Sequence, residues 1–108
     1  MKPLNWVGDT KRQLRDFPES ARDEAGYQLW RVQMGREPND WKPMRSVGAG
    51  VREVRIRDET GAFRIIYIAS LPEVIYVLHA FQKKTQKTEK RDIELATARL
   101  NAVSKERQ

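Results

Sequence analysis

The sequence has no cysteine and a single histidine, His79. Without cysteine there is no disulfide framework and no thiolate zinc site. One histidine alone is too few for the usual transition-metal sites, so we expect no metal and no cofactor. The lack of cysteine also favours the cytoplasm as the location of the protein.

Long apolar runs are missing as well. No run approaches the roughly 20 apolar residues that span a bilayer. The N-terminal stretch MKPLNWVGD is not apolar enough for a secretory signal, so we expect no membrane contact. Motifs for a phosphate-binding loop, a dinucleotide site or a nucleophile elbow are absent too.

Positive charge, in contrast, is abundant. The chain carries 21 Lys and Arg against 15 Asp and Glu, a net charge of +6. Such an excess attracts polyanions, of which nucleic acid is the first candidate and an acidic protein the second. A role in solubility alone is the remaining interpretation. The 108 residues suffice for one core, so 1–108 is predicted to be a single domain.

Hydrophobic periodicity predicts the first half of the fold. A short strand over 4–7 precedes a helix over 10–16, for which Asp9 is a suitable N-cap. Apolar residues at helical spacing predict a second helix over 18–34, which forms a helical hairpin with the first. Composition predicts a loop over 36–50.

Three strands and a helix are predicted for the second half. Apolar and charged residues alternate over 51–57, and two further strands are predicted over 62–69 and 73–81. Apolar residues at helical spacing after Thr88, a plausible N-cap, predict the last helix. The order β-α-α-β-β-β-α indicates an α+β fold: a small, mostly antiparallel sheet with the helical hairpin on one face and a C-terminal helix.

Arginines on these strands could bind the phosphates of RNA. Metal-free RNA cleavage uses the ribose 2′-hydroxyl as nucleophile, and preplaced cations stabilise the charge of the transition state. Arg64 is the best candidate because it is the lone charge in an apolar strand. It could also be an outward arginine on a half-exposed strand. Arg55 and Arg57 share one face of their strand, which could simply be solvated.

A basic cluster follows the last strand. Residues 82–91 include five Lys or Arg and one Glu, among them Lys83 and Lys84. His79 has the side chain whose ordinary pKa suits proton transfer near neutral pH. By alternation it shares a face with Ile75, Val77 and Phe81, which equally fits a packed histidine. Phe81 could likewise be a core residue or stack on a flipped base, and Gln82 could hydrogen-bond to that base.

These residues and the order of elements resemble the RelE/HigB superfamily of type II toxins. The resemblance lies in the strand pair REVRIRDETGAFRIIYIA and in the last strand with the residues that follow it, YVLHAFQKKTQKT. It is closest to the phage-derived HigB-like branch. It implies a small basic endoribonuclease that cleaves mRNA on the ribosome without a metal. It also implies a cognate antitoxin, usually with a helix-turn-helix, through which the complex binds operator DNA.

The resemblance and the residues together define a predicted site. Its catalytic members are Arg64, His79, Lys83 and Lys84, and its RNA-binding members are Arg55, Arg57, Lys42, Arg45 and Gln82. Some relatives use a late tyrosine as acid or base, whereas this chain has no tyrosine after Tyr76. The sequence therefore supports phosphate binding better than it identifies the acid and the base.

Two other functions fit the same fold. One is inhibition of DNA gyrase, as in the related ParE branch, and the other is nucleic-acid binding without catalysis. A gyrase inhibitor needs no cleft of cations, so the combination of Arg64, His79, Lys83 and Lys84 favours the ribonuclease.

Overall fold

The predicted order of elements is confirmed, with one short strand added. The computed structural model describes residues 1–85 and 87–107. The elements are β1 (Leu4–Trp6), α1 (Thr10–Arg15), α2 (Glu19–Gln33), β2 (Trp41–Pro43), β3 (Val51–Asp58), β4 (Gly61–Ile68), β5 (Ile75–Lys83) and α3 (Lys90–Glu106). The strands form one sheet in the order β1-β5-β4-β3-β2, in which only β1 and β5 pair in parallel.

The added strand, β2, lies in the segment that composition predicts to be a loop. It pairs with β3 at the edge of the sheet, and Lys42 lies opposite Glu53. An edge position tolerates Pro43 because the outer side of an edge strand needs no N–H donor. Three residues are too few to show an alternating pattern, so the sequence does not reveal this strand.

The hairpin of α1 and α2 packs on one face of the sheet, as predicted. Ala21 and Ala25 are fully buried, which lets the backbone of α2 approach the strands closely. Val54 and Ile56 of β3 contribute to the same core. Because side chains alternate along a strand, Arg55 and Arg57 point to the opposite face.

Helix α3 covers part of that opposite face. Ala96 and Val103 of α3 join a second core with side chains of β4 and β5. Arg99 then fixes the helix by donating 2.6 Å to Asp9 Oδ1 and 2.8 Å to the Leu78 carbonyl. The hydrogen bond from Arg99 lowers the pKa of Asp9 to about 2. Strand β5 is thus covered on both sides, with Ile75 and Val77 in one core and Tyr76 and Leu78 in the other.

A register shift between β4 and β5 changes which side chains share a face. Tyr67 lies opposite Val77, whereas the preceding Ile66 lies opposite His79, so Leu78 is an extra residue on β5. Ile75 and Val77 therefore pack in the hairpin core while His79 faces α3. The prediction that His79 shares their face is wrong, because a bulge breaks the strict alternation on which it depends.

In the described part of the chain, no helix is long and apolar enough to cross a membrane.

Candidate nucleic-acid interface

Six cationic side chains line one open cleft of about 710 Å³. They come from four neighbouring segments: Lys42 on β2, Arg55 and Arg57 on β3, Arg64 on β4, and Lys83 and Lys84 at the end of β5. Among the described residues that line the cleft, Asp58 is the only carboxylate. The structure therefore brings together six of the nine predicted site residues.

Strand register explains why the cations converge. Arg55 lies directly opposite Arg64, and Ala62 lies between Arg57 on one side and Lys83 on the other. Like charges placed opposite each other in a sheet are destabilising. A group of cations built at such a cost is typical of a site that receives an anion.

Arg64 is buried in the wall of the cleft, with only 7% of its surface exposed. Its Nε lies 3.4 Å from Glu53 Oε1, and its Nη1 donates to the Phe63 carbonyl at 3.2 Å. Burial lowers the pKa of Arg64, and the Glu53 carboxylate partly offsets this effect. An arginine nevertheless stays charged at any physiological pH. The interpretation of Arg64 as an outward arginine on a half-exposed strand is wrong.

Glu53 is a functional candidate that the sequence analysis missed. Its side chain is fully buried, 3.9 Å from Lys42 Nζ and beside Arg64. Its Oε2 accepts a 2.6 Å hydrogen bond from the Thr88 hydroxyl. Thr88 is thus not the N-cap of α3, a position that Glu89 occupies. Alternation alone could not find this carboxylate, because the residues that bury it come from β2, β4 and the β5–α3 connection.

Lys83 and Lys84 line the cleft at the C-terminal end of β5. Burial lowers the pKa of Lys83, and Arg64 lowers it further because the two cations repel each other. Lys84 is exposed to solvent. Gln86, in the middle of the predicted basic cluster, lies outside the described residues.

His79 does not line the cleft. Its Nε2 lies 2.8 Å from Asp92 Oδ1 on α3, and its ring stacks on Phe81 with the centroids 4.6 Å apart. The side chain is 7% exposed. Burial lowers the pKa of His79, although Asp92 opposes this shift. The structure thus places His79 as a packed, hydrogen-bonded histidine beneath α3.

Acid should destabilise the protein through His79. Above the ordinary pKa of 6.5, the imidazole is neutral in both the folded and unfolded states, so its titration does not change stability there. As the pH falls below 6.5, the unfolded state binds a proton first, because the folded-state pKa is lower. We expect the free energy of unfolding to fall across this range, and to fall less in His79→Gln.

The single imidazole allows a direct check of this prediction. An NMR titration of its carbon-bound protons reports the folded-state pKa, and urea unfolding at several pH values reports stability. A folded-state pKa above the ordinary value would mean that the bond to Asp92 outweighs burial, and would reverse the expected sign.

Two predicted phosphate-binding residues lie outside the cleft. Arg45 borders a different surface, next to Trp41 and Pro43. Gln82 lies beside the cleft rather than in it, and its Nε2 donates to the Thr60 carbonyl at 3.4 Å. The prediction groups Arg45 and Gln82 with the cations of the cleft because nearness in sequence does not show on which side of a strand or loop a side chain emerges.

Six cations thus line one open cleft of this α+β fold, and their combined positive field favours anionic ligands. The chain belongs to the family described as Phage derived protein Gp49-like (DUF891), whose model matches residues 12–101. This family is RelE-like and toxin-related, so the predicted relation is confirmed at family level. The match extends from α1 into α3 and includes every residue of the cleft. No curated protein matches the sequence.

Proposed function

We propose that this protein is the toxin of a type II toxin–antitoxin system, of the HigB-like branch, and that it cleaves ribosome-bound mRNA without a metal. The observation that carries the proposal is the convergence of six cations from four chain segments on one open cleft. An extended single strand of RNA has the charge density that such a cleft needs. Family membership supports the same function.

Charge stabilisation is the main contribution of the cleft. In the reaction, the ribose 2′-oxygen forms a bond to phosphorus and the bond from phosphorus to the 5′-oxygen breaks. The phosphoryl oxygens carry extra negative charge in the transition state. Arg64 and Arg55 offer guanidinium groups to these oxygens from the lining of the cleft. Preplaced donors of this kind often lower the activation barrier more than any other feature of an active site.

Lys83 is the cation best suited to donate a proton to the departing 5′-oxygen. An acid works best when its pKa lies near the working pH, and the surroundings of Lys83 move its pKa in that direction. Arginines cannot take this role because their pKa is too high. Lys83 would then supply the proton that the absent late tyrosine supplies in some relatives.

The proton of the 2′-hydroxyl passes to water in this mechanism. Asp58 is a poor base, because hydrogen bonds from Thr60 and Ser20 lower its pKa. His79 lies outside the cleft, bonded to Asp92. Positioning and charge therefore contribute more than base catalysis.

The partners follow from the same proposal. The substrate is mRNA on the ribosome, which places the reaction in the cytoplasm. A cognate antitoxin, encoded beside the toxin and carrying a helix-turn-helix, would restrain the activity and connect the complex to operator DNA. A neighbouring reading frame of this kind is the cheapest supporting observation.

Primer extension on translated mRNA tests the function. We expect new 5′ ends within coding regions after induction of the chain, and none when translation initiation on that mRNA is blocked. Growth arrest with intact mRNA and inhibited gyrase would replace this function with the ParE-like one.

A further inference from the structure

One buried carboxylate connects three separate segments around the cleft. Glu53 lies on β3 with no exposed side-chain surface, and its partners are Lys42 on β2, Arg64 on β4 and Thr88 before α3. Glu53 does not itself line the cleft. It therefore acts on the site through the residues it contacts and through its negative charge.

Stability alone does not explain a carboxylate at this position. Removing a charge from water costs several kcal/mol, and apolar residues of similar size often replace buried ion pairs without loss. The cations above Glu53 provide a better reason, since Arg55 and Arg64 lie opposite each other and repel. A negative charge beneath them reduces that repulsion without competing for the ligand.

The contact with Arg64 fixes the orientation of its guanidinium group. Glu53 Oε1 forms an ion pair with Nε at 3.4 Å, without a hydrogen bond between the two atoms, and the Phe63 carbonyl accepts a hydrogen bond from Nη1 at 3.2 Å. These contacts involve two of the three nitrogens, and an arginine has five N–H donors, so donors remain for a phosphate oxygen. With two sides of the planar group held, its direction is set before the substrate binds.

The contact with Thr88 fixes the other wall of the cleft. The Thr88 hydroxyl donates 2.6 Å to Glu53 Oε2. Thr88 belongs to the same connection as Lys84 and Thr85, both of which line the cleft. The bond therefore joins the chain after β5 to the middle of β3. It holds the segment that contains Lys84 and Thr85 against the strand that carries Arg55 and Arg57.

We propose that Glu53 is the positioning residue of the cleft: its two oxygens hold Arg64 and the Thr88 segment in the arrangement that binds one scissile phosphate. This inference rests on the proposed function for its catalytic readout. It adds a buried residue, remote from the substrate, on which the geometry of both walls depends.

Two substitutions and two matched controls test the proposal. Glu53→Gln keeps the size of the side chain and removes its charge, and Thr88→Val removes only the hydroxyl. Glu73→Gln changes an exposed glutamate in the β4–β5 connection, and Thr97→Val removes a hydroxyl that bonds within α3 to Ile93. All four variants are compared at equal folded fraction.

We expect Glu53→Gln to lower kcat by about 10², because a small misplacement of a catalytic group has effects of that size. KM should change by less than about threefold, since most phosphate contacts remain. Thr88→Val should be slower than wild type by a smaller factor, and both controls should match wild type. A wild-type kcat for Glu53→Gln at equal folded fraction would overturn the proposal.

Coupling to Arg64 separates positioning from a general effect of charge. If Glu53 acts through Arg64, adding Glu53→Gln to Arg64→Lys should reduce kcat little further. The alkaline limb of the pH profile should also move to lower pH in Glu53→Gln, because burial lowers the pKa of Lys83 and Glu53 partly offsets that effect. Fully multiplicative losses with an unmoved alkaline limb would contradict the proposal.

One readout does not depend on catalysis. Arg64 Nε is buried, so the NMR signal of its Nε–H should be protected from exchange in wild type and should exchange faster in Glu53→Gln, where the ion pair no longer holds the side chain. If wild type cleaves no RNA, the proposed function fails while this signal still decides the positioning role. An Arg64 signal unchanged by Glu53→Gln would exclude positioning even in an active ribonuclease.

Discussion

Replacing Arg64 with lysine is expected to lower the rate of RNA cleavage by about 10²-fold to 10³-fold, the usual effect of losing one preplaced donor. Lysine keeps the positive charge beside Glu53 but lacks the planar, forked group that binds two phosphate oxygens at once. Stability should therefore change little while activity falls. Single-turnover cleavage of translated mRNA, with urea unfolding of the same preparation, measures both.

The alanine variant should behave differently. Arg64→Ala removes a principal partner of a fully buried carboxylate, and breaking a buried pair of this kind costs about 3–5 kcal/mol. Loss of toxicity in that variant would not distinguish catalysis from unfolding. Arg22→Lys, on the exposed side of α2, is the matched control for Arg64→Lys. Full activity of Arg64→Lys would remove Arg64 from the catalytic group.

Lys83→Ala is expected to slow cleavage by about 10²-fold to 10⁴-fold, the range for a proton donor at a reacting group. The larger part of the effect should appear in kcat. Lys84→Ala is the natural comparison, because Lys84 lines the same cleft and is exposed. It should weaken RNA binding and leave kcat nearly unchanged. Equal effects of the two substitutions would show that both lysines only bind phosphate.

The pH profile identifies the proton donor more specifically. Only the ammonium form of Lys83 can donate, so activity should fall as the pH rises through the folded-state pKa, which lies below the ordinary 10.5. Lys83→Arg keeps the charge and has no accessible deprotonation. It should retain RNA binding, lose most of its rate and show no alkaline limb. An alkaline limb that persists in Lys83→Arg would assign the proton to another group.

The sequence predicts most of the fold because local rules agree with the tertiary structure. Alternation in β3 and helical spacing in α2 assign the ends of both elements to within one residue. The β2 strand is missed because three residues carry no periodic signal. The face predicted for His79 is wrong because the extra residue in β5, Leu78, interrupts the alternation.

In the candidate site, too, the residues that follow a local pattern are predicted and those that depend on tertiary contacts are not. Alternation correctly places Arg55 and Arg57 on one face of β3, and the register of β4 then brings Arg64 opposite Arg55. Glu53 could not be assigned, because its burial depends on Lys42 and Thr88, which approach from distant parts of the chain. Arg45 is misplaced because a loop has no period from which to infer direction. Strand periodicity therefore predicts that Arg55 and Arg57 share a face, and tertiary contacts decide which residues hold the cations of the cleft in place.

The proposed function requires that the cations of this cleft together bind the RNA backbone. Its most direct test is the salt dependence of binding to a single-stranded RNA blocked at the 2′-oxygen. Removing Lys83 and Lys84 together should reduce the slope of log affinity against log salt by about 0.7 for each lost contact. Removing Arg22 and Arg45, which lie outside the cleft, should leave the slope at the wild-type value. Equal slopes for both double variants would contradict the claim.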